Sequence, residues 1–285
     1  MIFPHVLVMT ATPIPRTLAM TAYGDLDFSV IDQLPPNRKP VSTTHFYFKE
    51  IKKIYSFIFD ELIQKRQVYV VYPLIEESKV LDYQNLMDGY ENMKTIFGNK
   101  GFKVSMLHGK MNNDDKLSEM SNFLLNKTQI LVSTTVIEVG VNVPNASVMI
   151  IQNAEKFGLS QLHQLRGRVG RGANKSHCIL LTSNKLTNDS KTRLKAMVDT
   201  NDGFEISEID LKLRGPGDIL GTRQSGLLNL KLSSLIKDNG ILNDARLDAK
   251  IIIQKDFELV NSHNRNINQF FYKKYSKLLK WSSVS

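Results

Sequence analysis

Five short apolar runs constrain this chain more than any other feature: Val68–Tyr72, Val104–Leu107, Ile130–Val132, Val148–Ile151 and Cys178–Leu181. They are rich in β-branched residues and continuous rather than alternating, the pattern of strands covered on both faces. Residues 49–65 place Ile51, Ile54, Tyr55, Ile58 and Leu62 at helical spacing, and 86–97 and 114–125 repeat that spacing, with Asn113 or Asp114 as N-cap. Strand–helix alternation predicts an α/β fold, a parallel sheet with helices on both faces. After about residue 184 the character changes. Residues 203–229 are glycine-rich and read as loop, and about 240–281 read as helical. Upstream, Val6–Met9 is another buried-strand run with no preceding neighbours to cover it, and residues 33–40 are a Pro-rich, basic linker. Cut off from its sheet, that strand would expose unpaired backbone and invite self-association through residues 1–32.

Composition narrows the classes. The 285 residues carry a net charge of +9, which favours a polyanionic partner, most simply nucleic acid. One cysteine, Cys178, excludes a disulfide framework and multi-cysteine metal sites, and the six histidines have no zinc spacing, so no metal ligand is assigned. No apolar run of membrane-spanning length and no signal-peptide pattern is present, which predicts a cytoplasmic protein without a membrane partner.

The densest chemical signal runs from Gln161 to Gly172. On a continuous helix Gln161, Gln164, Arg168 and Arg171 fall on one face, and two guanidiniums there suit the oxygens of a transferring phosphoryl group. The intervening glycines let a polyphosphate or another stretch of backbone come close. A solvated basic turn between strands is the alternative. Ser133, Thr134 and Thr135 follow the Ile130–Val132 strand at its carboxyl end, where open α/β sheets bind ligands. They hold phosphates, cap a helix, or do both. His108 either bonds a phosphate or simply ends its strand, and Thr10 and Thr12 also fit a Thr-Pro turn. In the last segment aromatic residues alternate with lysines from Phe270 to Trp281, as a nucleic-acid patch or as a terminal amphipathic helix docked on the body.

The arginine run resembles motif VI of superfamily 2 helicases, and three more segments match that superfamily in order. Met9–Thr17 resembles motif III, Val71–Ser78 motif IV with Leu107–Met111 after it, and Ser133–Pro144 motif V. Gly203–Gly226, with Arg214-Gly-Pro-Gly217 and Gly221-Thr-Arg-Gln-Ser-Gly226, resembles the translocation motif of the RecG family. The resemblance implies a RecA-like second motor domain over 41–200, the end of a first motor domain plus linker over 1–40, and a mostly helical translocation element over 201–285. It implies Arg168, Arg171 and Gln164 as catalytic, and Gly140, Asn142, Arg168 and Arg171 as the ATP-binding set. It further implies His108, Ser133, Thr134 and Thr135 on DNA, with Thr10, Thr12, Arg214, Arg223 and Gln224 coupling hydrolysis to movement. The family acts on branched or double-stranded DNA with ATP and Mg²⁺. Its phosphate loop, ending Gly-Lys-Ser/Thr, and its Mg²⁺-binding acidic motif do not occur in this sequence. The expectation is therefore a chain that lacks the DNA-gripping wedge and most of the first motor domain, and is inactive alone. A transcription-repair coupling factor and a non-enzymatic DNA-binding module are the alternatives.

Overall fold

The structure is a computed structural model, and it describes residues 39–74, 79–134, 142–172, 174–214 and 239–282, together with Leu7, Met9, Ser29 and Ile31. Of these, 39–214 belong to one compact unit and 239–282 to a second.

The first unit opens with β1 (Ser42–Tyr47), a 3₁₀ turn and α1 (Ile51–Ile63). There follow β2 (Gln67–Val71), α2 (Lys79–Met93) with a π-helical turn to Gly98, β3 (Val104–Leu107) and α3 (Asn113–Leu124). The rest is β4 (Ile130–Ser133), β5 (Ala146–Gln152), α4 (Leu159–Arg166), β6 (His177–Thr182), α5 (Asn188–Asp199) and α6 (Gly203–Arg214). All six strands are parallel, in the order β1-β6-β5-β2-β4-β3.

Side-chain alternation explains the continuous apolar runs. In β2, Val68 and Val70 face one layer with Ile54, Ile58 and Leu62 of α1 and Leu86 and Met93 of α2. Tyr69 and Val71 face the other, with Phe123 of α3, Leu159, Leu162 and Leu165 of α4, Met197 of α5 and Ile206 of α6. Every residue of β2, β4 and β5 is buried, so both faces of each strand are largely apolar, with Gln67, Ser133, Ser147 and Gln152 as the polar exceptions. This is the RecA-like α/β sheet with helices on both faces that the sequence predicts.

Four details differ from the reading of the sequence. The strand β1 is missing from it, because Ser42, Thr43, Thr44 and His45 break any apolar run. An edge strand needs only one partner, and β1 pairs with β6 along its whole length and adds a hydrogen bond between His45 Nε2 and Thr182 Oγ1 of 2.7 Å. The N-cap of α3 is Asn112, not Asn113 or Asp114: its Oδ1 accepts the Asp115 N–H at 2.7 Å. Residues 203–214 are helix rather than loop, begun by Asp202, whose Oδ1 accepts the Phe204 N–H at 2.8 Å. In the second unit the helical stretch is two helices, α7 (Asn239–Lys255) and α8 (Arg265–Ser282). Asp256 separates them, its carboxylate accepting the N–H groups of Val260 and Asn261 and the Asn264 amide.

Candidate functional site

Two groups of candidate residues lie at opposite ends of the sheet. At the carboxyl end, β3 and β4 finish side by side, Leu107 beside Ser133, and the Thr134 N–H donates to the Leu107 carbonyl at 3.3 Å. That pairing sets His108 beside Thr134. The Ser133 and Thr134 hydroxyls are buried, and among the described residues neither has a hydrogen-bond partner. Buried hydroxyls without partners are uncommon and call for a ligand or water.

His108 is itself largely buried. Its Nδ1 accepts the Lys110 N–H at 3.2 Å, which leaves the ring proton on Nε2. Burial, and then the charges of Lys110 and Lys116, hold its pKa below the ordinary histidine value, so the imidazole is kept neutral. The Tyr83 ring of α2 meets His108 edge-on at 5.2 Å, and the Lys110 ammonium sits 4.3 Å from the centre of the same ring. Tyr83 escaped the sequence reading, since nothing in the spacing of α2 marks it as facing the end of β3.

The arginine loop occupies the other end. The helix α4 stops at Arg166, so Gln161, Gln164, Arg168 and Arg171 do not share one continuous helical face. Gln161 instead closes the start of α4, its Oε1 accepting the Gly158 N–H at 3.0 Å, while Gln164 is exposed. Arg168 lies in the turn after the helix, half-buried, and Arg171 is exposed with its Nε donating to the Gly167 carbonyl at 3.2 Å. Among the described residues the ion pairs are Lys53–Glu50 and Arg66–Glu61, so neither loop arginine is neutralised by a carboxylate. Their charge is felt at Tyr69: burial pushes its hydroxyl up to about 12, against the pull of Arg168 and then Arg171.

The loop glycines make room for backbone of the chain itself. A Cβ on Gly172 would stand 2.5 Å from the Pro144 carbonyl oxygen. Gly170 has φ +77° and would place a Cβ 2.8 Å from Val41 Cγ2. Val41 and Pro144 lie just before β1 and β5, which fixes the loop at the amino end of the sheet. Asn142, two residues before Pro144, is exposed. Strands of four to seven residues separate the two ends, about 13–23 Å along their length.

Thr10, Thr12, Thr135, Gly140, Arg223 and Gln224 lie outside the described residues, as do Val6 and Val8. Arg214 ends α6. In the second unit Phe270, Phe271 and Tyr272 of α8 are exposed, beside Lys273. Among the described residues no group of His, Cys, Asp or Glu could hold a metal ion, and no helix is long and apolar enough to cross a membrane.

Residues 49–173 match the helicase conserved C-terminal domain, and residues 200–285 match domain 3, C-terminal, of the ATP-dependent DNA helicase RecG. The chain is 49% identical over 277 residues to the ATP-dependent DNA helicase RecG of Synechocystis, covering 97% of this chain and 33% of that protein. It is 51% identical over 253 residues to RecG of Bacillus subtilis, covering 89% and 37%. A solved structure of RecG bound to a three-way DNA junction superposes with a TM-score of 0.64 at 41% identity, over 81% of this chain and 30% of that one. The chain thus spans about a third of the length of the relatives it matches.

Proposed function

This chain belongs to the RecG family of ATP-dependent DNA helicases, matching its C-terminal part, and from that we propose that it is the second motor domain and translocation element of an enzyme that remodels branched DNA. The observation that carries the reading is the pair of unneutralised guanidiniums, Arg168 and Arg171, on a loop held at a fixed place by two glycine contacts. Such a loop suits the phosphates of ATP, with Asn142, Gln164 and Gly140 assigned to the same site from the sequence. ATP supplies the phosphoryl group and the free energy of its hydrolysis. The arginines stabilise negative charge on its terminal phosphate oxygens, and burial of the neighbouring segment keeps them oriented. Mg²⁺ is assigned to none of the described residues, since no group among them fits it.

DNA is placed at the other end of the sheet. His108 offers a neutral Nε2–H donor, and Ser133 and Thr134 offer hydroxyls without partners among the described residues; such groups bond phosphates without reading sequence. Thr135 joins them in this proposal, while Thr10, Thr12, Arg214, Arg223 and Gln224 couple the two ends. We place the protein in the cytoplasm, acting on branched or duplex DNA, with self-association through residues 1–32 as a separate proposal.

Two assays test this. The chain alone is expected to bind a three-way junction weakly, with affinity falling steeply from low to physiological salt, and to show no DNA-stimulated ATP hydrolysis. A salt-indifferent affinity sinks the DNA reading. Hydrolysis that disappears in Arg171→Ala overturns the expected inactivity of the chain by itself.

A further inference from the structure

Arg166 stands two residues before the arginines of the loop, yet its side chain goes elsewhere. It is only 3% exposed, and no carboxylate pairs with it among the described ion pairs. Its Nη1 donates to the Met197 carbonyl at 2.9 Å and to the Thr200 carbonyl at 2.8 Å, in the last turn of α5 and just beyond it. A weaker bond reaches Thr43 Oγ1 of β1 at 3.4 Å, and Nη2 donates to His163 Nδ1 at 3.0 Å. The last carbonyls of a helix lack intrahelical donors and form the negative end of its dipole. Arg166 therefore satisfies the end of α5 with the last residue of α4, and the dipole offsets part of the cost of burying its charge.

The other end of α4 is also tied. Ser160 Oγ donates to Asp210 Oδ2 of α6 at 2.9 Å. Between these ties the chain is short and bonded to itself: Thr200 Oγ1 accepts the Asp202 N–H at 3.0 Å, and Asp202 starts α6. Helix α6 then ends at Arg214, directly before the glycine-rich segment that resembles the translocation motif.

We propose that Arg166 and Ser160 are positioning residues that lock α4, and the arginine loop behind it, to α5 and α6 as one rigid body. A displacement of Arg168 and Arg171 is then delivered at Arg214 instead of being absorbed between helices. This rests on the helicase reading for its purpose, but the rigid body itself is testable without nucleotide or DNA.

The experiment is hydrogen exchange on the full chain, following the amides of 167–172, of 203–214 and, as a control, of β5. Ser160→Ala is expected to raise exchange in both the arginine loop and α6, on the order of ten- to a hundredfold, the local opening that loss of one hydrogen bond to a charged group allows. Exchange in β5 stays at the parent level, and Ser160→Thr, which keeps the hydroxyl, restores both segments. Arg166→Lys keeps the charge but not the forked donors, and is expected to loosen the same two segments. If Ser160→Ala loosens α6 while the loop stays protected, the two are not one body and the proposal fails. Faster exchange throughout, β5 included, overturns it equally, because the contact is then ordinary stabilisation. Should Arg166→Lys not fold, Ser160→Ala decides. Failure of the helicase reading would appear instead in the junction-binding assay, with these exchange results unchanged.

Discussion

Replacing Gly172 with alanine tests whether the arginine loop is shaped by the chain's own backbone. The new Cβ would lie 2.5 Å from the Pro144 carbonyl oxygen, with the Pro144 carbonyl carbon at 3.4 Å and Cα at 3.9 Å. Ordinary contact begins near 3.4 Å, so the two backbones must part by about 0.9 Å. Neither side yields easily. Pro144 lies two residues before β5, whose seven residues are all buried, and the loop is held by Gly170 against Val41. Overpacking of this kind costs about 1–3 kcal/mol. For a protein of this size that is a fall in Tm of about 2–12 °C, measured by circular dichroism. Gly167→Ala is the control: Gly167 has φ −67°, and its Cβ would meet carbonyl oxygens only at 3.4 and 3.5 Å. Its Tm is expected within about 1 °C of the parent. A Gly172→Ala protein that melts with the parent, or a Gly167→Ala protein that falls as far, refutes the reasoning.

Other outcomes follow from the packing and the charges. Phe123 is fully buried with its ring 4.9 Å from that of Tyr69, so Phe123→Ala is expected to cost about 3–5 kcal/mol in urea unfolding; a loss below about 1 kcal/mol would contradict the packing. Asn112→Ala removes the cap of α3 and is expected to cost about 1 kcal/mol, whereas Asn113→Ala is close to neutral; the reverse order would reinstate Asn113 as the cap. Burial holds His45, His108 and His177 below the ordinary histidine value of 6.5 in the folded state. The unfolded chain then takes up more protons below that pH, so the stability from the neutral rings is complete above about pH 6.5 and is lost as pH falls through the lowered values. Tm is expected to drop from pH 7.5 to 5.5 in dilute salt, and a rise would show the sign to be wrong.

The central sheet was legible because burial on both faces leaves strands no choice but apolar residues, as Val68, Tyr69, Val70 and Val71 show. Edge positions carry no such demand, and so Ser42–Tyr47 could not be seen as a strand until β6 was beside it. The arginine site was legible in its residue types but not in its geometry. Helical spacing was extended through Gly167 and Gly170, and the chain leaves the helix at Arg166. Burial separates Arg166 from Arg168 and Arg171, and burial depends on where α5 ends, a fact remote in sequence. The strand-end rule marks Ser133 and Thr134 and the resemblance marks His108, but that the two lie side by side follows only from the pairing of β3 with β4.

The edge strand also sets a timetable for biosynthesis. The His45–Thr182 hydrogen bond joins residues 137 apart, and among the described residues β1 has no other strand beside it. At ribosomal rates of about 5–20 residues per second, β1 waits roughly 7–27 s after it is made for its partner to be synthesised. Strands β2 to β5 meet the neighbours they share well before that. A nascent chain of this kind spends that interval with a four-stranded centre assembled and β1 unclaimed, the period in which a chaperone or a neighbouring nascent chain has the most to bind.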